Sequence, residues 1–152
     1  MRTIVCLALA TVISTSAVAR DVAVCGASQG YGFYPKAGLA AADQAAGEWH
    51  PDGIKDGRFT LTQIAKEKFD LLVADATGGV YSVTQDGASV VLIGVTDKSL
   101  SVLVSNPNCY VETYTFLRTE DGQAEVMWTT NKWGTVIPKV GAYRAGCSIF
   151  AP

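Results

Sequence analysis

Between Phe69 and Thr130 the chain is a succession of apolar, β-branched runs separated by short polar turns. Period-two alternation of this kind marks half-buried strands. The pattern predicts strands at 58–64, 69–75, 79–84, 88–95, 100–105, 110–119, 123–130 and 142–150, after an earlier short one at 21–25. Val111 to Thr130 (VETYTFLRTEDGQAEVMWTT) is the best-specified part. A two-residue turn at Asp121-Gly122 would set Leu117 opposite Val126 and Phe116 opposite Met127, spreading apolar side chains over both faces. A three-residue loop, Glu120-Asp121-Gly122 with Gly122 left-handed, sets Phe116 opposite Val126 and Tyr114 opposite Trp128. Thr113, Thr115, Glu125 and Thr129 then share the other face, with Leu117 and Met127 as exceptions. A slip of one residue flips every side chain, so the pairing that sorts the faces is predicted.

About eight strands joined by short loops, with Asp-Gly turns at 86–87 and 121–122, predict an all-β, antiparallel meander. A barrel is preferred to a two-sheet sandwich, because closure removes long apolar edges. Ahead of this block, the alanine-rich 36–46 segment predicts a short helix ended by Gly47, with Gly38 opposing it. Residues 26–35 (GASQGYGFYP) interleave glycines and rings and read as turns with aromatics packed on backbone, and 49–57 reads as a turn-rich connector.

The first nineteen residues stand outside this fold. Arg2, the apolar run Ile4 to Ile13 and Ala17-Val18-Ala19 have the three parts of an export signal, so 20–152 is expected as one exported domain, periplasmic or secreted. The apolar run is too short for a membrane span. Removal of Arg2 takes the formal net charge from −2 to −3, and Lys and Arg are scattered, which argues against a nucleic-acid partner. Three cysteines remain, Cys25, Cys109 and Cys147. Export favours a disulfide: Cys25–Cys147 would close nearly the whole chain, worth about 4–5 kcal/mol in the chain-entropy model, and Cys109–Cys147 is the runner-up. With one histidine and no Cys-x-x-Cys, neither zinc nor any other cofactor is expected.

Candidate chemistry is sparse. Gly26-Ala27-Ser28-Gln29-Gly30 matches the G-x-S-x-G nucleophile pattern, with His50 and Asp52 as conceivable base and orienter. That motif needs a strand–turn–helix in an α/β fold, whereas this chain reads as a meander. Cys109 with His50 would make a thiol–imidazole pair, but nothing in the spacing joins them. Asp75-Ala76-Thr77-Gly78-Gly79 departs from Asp-Thr-Gly by an inserted alanine, and Asp52 and Asp56 lack the carboxylate ladder of a calcium loop. Glu112 shares a face with Tyr114 and Phe116; if interior, it needs a partner such as Arg118 or Arg144, and otherwise it sits at a wet rim. Tyr31, Phe33, Tyr34 and Trp49 form an aromatic group ahead of the strands, which either packs on the sheet or lines a ligand cleft or interface.

Gly47-Glu48-Trp49 ahead of eight strands resembles the G-x-W entrance motif of lipocalins and related calycin barrels. The resemblance implies that Trp49 closes one barrel end, that Arg144 packs over its ring, and that the fold suits small-ligand or inhibitor roles. The lipocalin Thr-Asp-Tyr is missing. The Cys25-Gly26 start, the Trp49…Asp52-Gly53-Ile54…Gly57 connector, the 112–116 strand (ETYTF) and the closing Cys147 are similar to small exported bacterial proteins of unassigned function. That similarity implies export and a Cys25–Cys147 bridge, and no activity. The expected function is therefore non-catalytic binding of a small apolar ligand or of an extracytoplasmic protein such as a hydrolase it restrains, through Tyr31, Phe33, Tyr34, Trp49 and Glu112. A small hydrolase using Ser28 and His50, or a structural envelope component, is the alternative.

Overall fold

The fold comes from a computed structural model of the chain, which describes residues 18–42, 46–74 and 79–152. All ten strands belong to one antiparallel sheet: β1 (Arg20–Phe33), β2 (Trp49–Asp52), β3 (Arg58–Ala65), β4 (Lys68–Ala74), β5 (Val80–Ser82), β6 (Ser89–Val95), β7 (Ser99–Asn106), β8 (Tyr110–Arg118), β9 (Ala124–Lys132) and β10 (Lys139–Phe150). The order is β5-β4-β3-β1-β10-β9-β8-β7-β6, with β2 added beside β1. Two meanders, β3 to β5 and β6 to β10, are thus joined through the pairing of the first long strand with the last.

The β8–β9 hairpin has the predicted register. Tyr114 faces Trp128, Phe116 faces Val126, and Gly122 is left-handed at φ 83°. Thr119 donates its amide to the Gln123 carbonyl across the three-residue loop. The sorted face becomes the inner wall: Val102, Val104, Tyr114, Phe116, Val126 and Trp128 are buried there against Phe59, Leu61 and Leu71 from the opposite side. Rings make its centre, with Trp128 4.7 Å from Phe59, 5.1 Å from Tyr143 and 5.7 Å from Tyr114 between centroids. A fully buried side chain of this size contributes about 1.5–3 kcal/mol.

Five expectations are corrected. The sheet curls into an open half-barrel, with no ladder joining β5 to β6 among the described residues. Asp86-Gly87 does turn the chain, but around a tight 82–88 loop (Asp86 N–H to the Ser82 carbonyl, Ala88 N–H to the Val83 carbonyl), and Ser82 Oγ is drawn to Asp70 at 2.6 Å. The turn is anchored to β4 and not extended as a hairpin, which leaves the seam. The predicted helix over 36–46 is, in its described part, a 3₁₀ helix at Gly38–Ala42. Gly38 begins it at φ +58°, outside right-handed helical space, and so short a segment cannot offset helix nucleation.

The glycine–aromatic segment 26–33 is strand, the second half of β1. It pairs with β10 on one side, while its other edge passes from β3 to β2. Bulges beside Cys25 absorb the misfit. The connector after it holds β2, where Pro51 is tolerated because the strand lies off the main path of the sheet. Cys25 and Cys147 are register partners on β1 and β10 and form the disulfide; Cys109 is free. Among the described residues no helix is long and apolar enough to cross a membrane. Residues 1–17 of the expected 1–19 export signal and Asp75-Ala76-Thr77-Gly78 lie outside the described residues.

Candidate functional site

At one mouth of the half-barrel the inner wall changes from apolar to charged. Alternation along β8, β9 and β10 carries Glu112, Thr130, Lys132 and Lys139 onto the same face as Tyr114, Trp128 and Tyr143. Lys132 and Lys139 are direct register partners, an arrangement that repels. Each is neutralised by its own acid: Lys139 Nζ lies 3.1 Å from Asp52 Oδ2, and Lys132 Nζ lies 3.6 Å from Glu112 Oε1. Tyrosine rings back both ammonium groups, Tyr143 at 5.1 Å from Lys139 and Tyr110 at 5.5 Å from Lys132.

Glu112 is interior, 8% exposed. Its partners are neither Arg118, which donates to the Phe150 and Gly122 carbonyls, nor Arg144 on the outer face. Tyr114 Oη and Thr130 Oγ1 each donate to it at 2.7 Å, and Lys132 supplies the counter-charge. Asp52 on β2 is held equally closely. Tyr34 Oη and Tyr143 Oη both donate to its Oδ2 at 2.7 Å, and the Gly53 amide donates to Oδ1. Backbone glycines make room for this. A Cβ on Gly30 would come within 2.7 Å of the Tyr143 ring, and one on Gly32 within 2.9 Å of the Asp52 carboxylate.

Burial alone would raise the Asp52 carboxyl. The hydrogen bonds from Tyr34, Tyr143 and Lys139, with the Lys139 charge, outweigh it and bring the pKa from 3.8 down to about 2. Burial, then Asp52, pushes Tyr34 and Tyr143 far up; burial, then Glu112, does the same to Tyr114, and Tyr110 rises to about 12. All four remain protonated at neutral pH, and Tyr34, Tyr143 and Tyr114 act as donors. Because the folded Asp52 pKa is depressed, its contribution is present above about pH 4 and is lost as pH falls toward 2. Asp52→Asn is expected to lower the urea midpoint at pH 7 and to flatten its decline between pH 4 and 2. An unchanged slope in that window would refute the assignment.

The cavity enclosed at this mouth is small, about 90 Å³. The large concavity is on the other side of the sheet. A groove of about 940 Å³ crosses the outer face, lined by Gln29 and Tyr31 from β1, Thr113 and Thr115 from β8, Met127 and Thr129 from β9, and Ala142 and Arg144 from β10. Two register rows floor it, Gln29–Arg144–Met127–Thr115 and Tyr31–Ala142–Thr129–Thr113. Arg144 and Met127 occupy the middle of the first row, and Ala142, Thr129 and Thr113 are the small side chains of the second.

The five residues singled out from sequence divide between these places. Tyr31 is 59% exposed at one end of the groove, and Phe33 and Trp49 continue that outer surface with their rings 5.7 Å apart. Tyr34 and Glu112 belong to the charged mouth. Trp49 is on the outside, 57% exposed, and the tryptophan of the interior is Trp128. Lys132, Lys139 and Tyr143 were not among the residues expected from sequence, whereas Thr113, Thr115 and Thr129 share one face as the hairpin register predicts. Continuing the period-two face of β9 from Trp128 through Thr130 would have reached Lys132.

Ser28 lies within a continuous strand, where its Oγ accepts the Ile54 amide at 3.0 Å. His50 pairs in register with Gly32, four residues further along β1, roughly 13 Å from Ser28. The nucleophile-elbow geometry is therefore not assembled. Cys109 sits in the β7–β8 turn, its carbonyl accepting the Trp133 and Gly134 amides. Among the described residues no group of three His, Cys, Asp or Glu could hold a metal ion. Comparison of the chain with family models, with curated proteins and with solved structures finds no match.

Proposed function

We propose that this is an extracytoplasmic, non-catalytic binding protein whose partner is another protein docked on the outer face of the sheet. The observation that carries this reading is the distribution of space. The interior is filled by Phe59, Tyr114, Phe116, Trp128 and Tyr143 and keeps about 90 Å³, well below the roughly 300–1,000 Å³ of small-molecule sites. An apolar ligand entering the interior would also meet two ion pairs at the mouth, so an interior small-ligand site is the weaker reading. Outside, a groove ten times larger ends at Tyr31, with Phe33 and Trp49 beyond it. Tyr31 and Trp49 are exposed and Phe33 is half-buried between them, and exposed aromatics are the usual anchors of protein interfaces. A hydrolase restrained in the same compartment is the partner class favoured.

A photo-crosslinking amino acid placed at Tyr31 in the exporting cell tests this, with Val91 on β6 as the exposed control. A discrete protein adduct from position 31 and none from 91 is expected, and Tyr31→Ala or Trp49→Ala should weaken that complex by about 2 kcal/mol with no change in folding. An apolar small molecule retained by the purified protein in native mass spectrometry, with no adduct at 31, would reject the reading.

A further inference from the structure

We propose that the outer groove receives an extended polypeptide segment carrying an acidic side chain, which pairs with Arg144; the inference rests on the outer-face docking just described. Arg144 stands in the middle of the groove on β10, between Gln29 and Met127. Its exposed guanidinium makes no hydrogen bond or ion pair among the described residues. The acid nearest in register, Glu125 opposite Gly146, is not within ion-pair distance of it. The other charged residue along the groove, Asp52, directs its carboxylate to Tyr34, Tyr143 and Lys139. Among the described residues Arg144 is therefore the one cation of the groove, held in no ion pair, with Glu125 the acid nearest to it and a fork geometry suited to a carboxylate.

The remaining walls choose among ligands bearing such a group. Strands β8, β9, β10 and β1 are paired on both sides, so no free edge exists there for an added strand and recognition must run through side chains. Thr115 is engaged with Ser101 Oγ at 3.0 Å, leaving Gln29, Thr113, Thr129 and the Tyr31 hydroxyl as neutral hydrogen-bonding groups. An oligosaccharide spanning four strands, about 14 Å, would bring far more hydroxyls than these can satisfy. Tyr31, Pro51, Met127 and Ala142 instead offer apolar seats around the single cation. An apolar peptide with one acid matches that pattern.

The exported, disulfide-bonded protein is screened against a random twelve-residue peptide library and an array of neutral and uronic-acid oligosaccharides. Enriched peptides are expected to carry Asp or Glu among apolar residues. Their synthetic Asn or Gln versions should bind the wild type about 10–100-fold more weakly, and Arg144→Glu should select Lys or Arg in place of the acid. Variants are compared only where their unfolding midpoints match the wild type. Enriched peptides that depend on Tyr31 but ignore Arg144→Glu would overturn the acidic pairing and leave outer-face docking intact. Indifference to both Tyr31→Ala and Arg144→Glu would overturn both. Absence of any enrichment, or oligosaccharide binding abolished by Arg144→Ala, would overturn the polypeptide assignment.

Discussion

Replacing Cys25 and Cys147 together by alanine is expected to lower the stability of the disulfide-bonded protein by about 5 kcal/mol. The bridge spans 122 residues and joins β1 to β10, the two strands whose pairing couples both meanders. Opening it frees almost the entire unfolded chain, and the entropy of the unfolded state rises accordingly. Total stability of a domain this size is about 5–15 kcal/mol, so the loss is a large part of it. Urea titrations of wild type, the double variant and Cys109→Ser measure it directly. Cys109 makes no bridge, so its serine variant should stay within about 1 kcal/mol of wild type. A double variant less than about 1 kcal/mol below wild type would mean that β1–β10 pairing constrains the chain without the covalent link.

Glu112→Ala is the second large effect, a loss of about 3–5 kcal/mol. The substitution strands the Tyr114 and Thr130 hydroxyls, both buried, and removes the counter-charge of Lys132, which is then left beside Lys139. Each orphaned buried hydroxyl costs about 1–3 kcal/mol. Glu112→Gln keeps one acceptor and the shape of the side chain, so it should lose about half as much. Equal losses for the two variants would show that the charge matters and the hydrogen bonds do not; a loss below 1 kcal/mol for alanine would show that water replaces the carboxylate.

These residues also show where a reading along the chain reaches its limit. Glu112 was visible as an interior candidate because alternation is a local property: it follows Tyr114 and Phe116 in steps of two. Its partner was not visible. Lys132 lies twenty residues away, and its position depends on the β8–β9 register continuing past Trp128, while Arg118 and Arg144 were equally cationic on paper. Asp52 was more deceptive. In the sequence it belongs to a Pro-Asp-Gly turn, but in the fold β2 sets it opposite Gly30 and under Tyr143, residues far from it along the chain.

The same division runs through the fold. Strand positions, the antiparallel sense, the three-residue loop at Gly122 and the Cys25–Cys147 bridge were legible, because each rests on side-chain period, turn stereochemistry or the location of two residues at the domain ends. Extension of β1 through Gly26 to Phe33 was not, since glycines with no side chain to pack have little strand preference of their own. They become strand because β10 and β2 pair with them and because the Tyr143 ring needs the space that Gly30 leaves. Closure was illegible for a related reason. Whether β6 meets β5 depends on how far the whole sheet curls and on Asp70 holding the 82–88 turn, a sum of long-range terms with no local signature. Local sterics and hydrophobic period thus wrote most strands from Arg58 onward into the chain, while pairings between distant segments made strands of 26–33 and 49–52 and chose which side chains meet at the charged mouth.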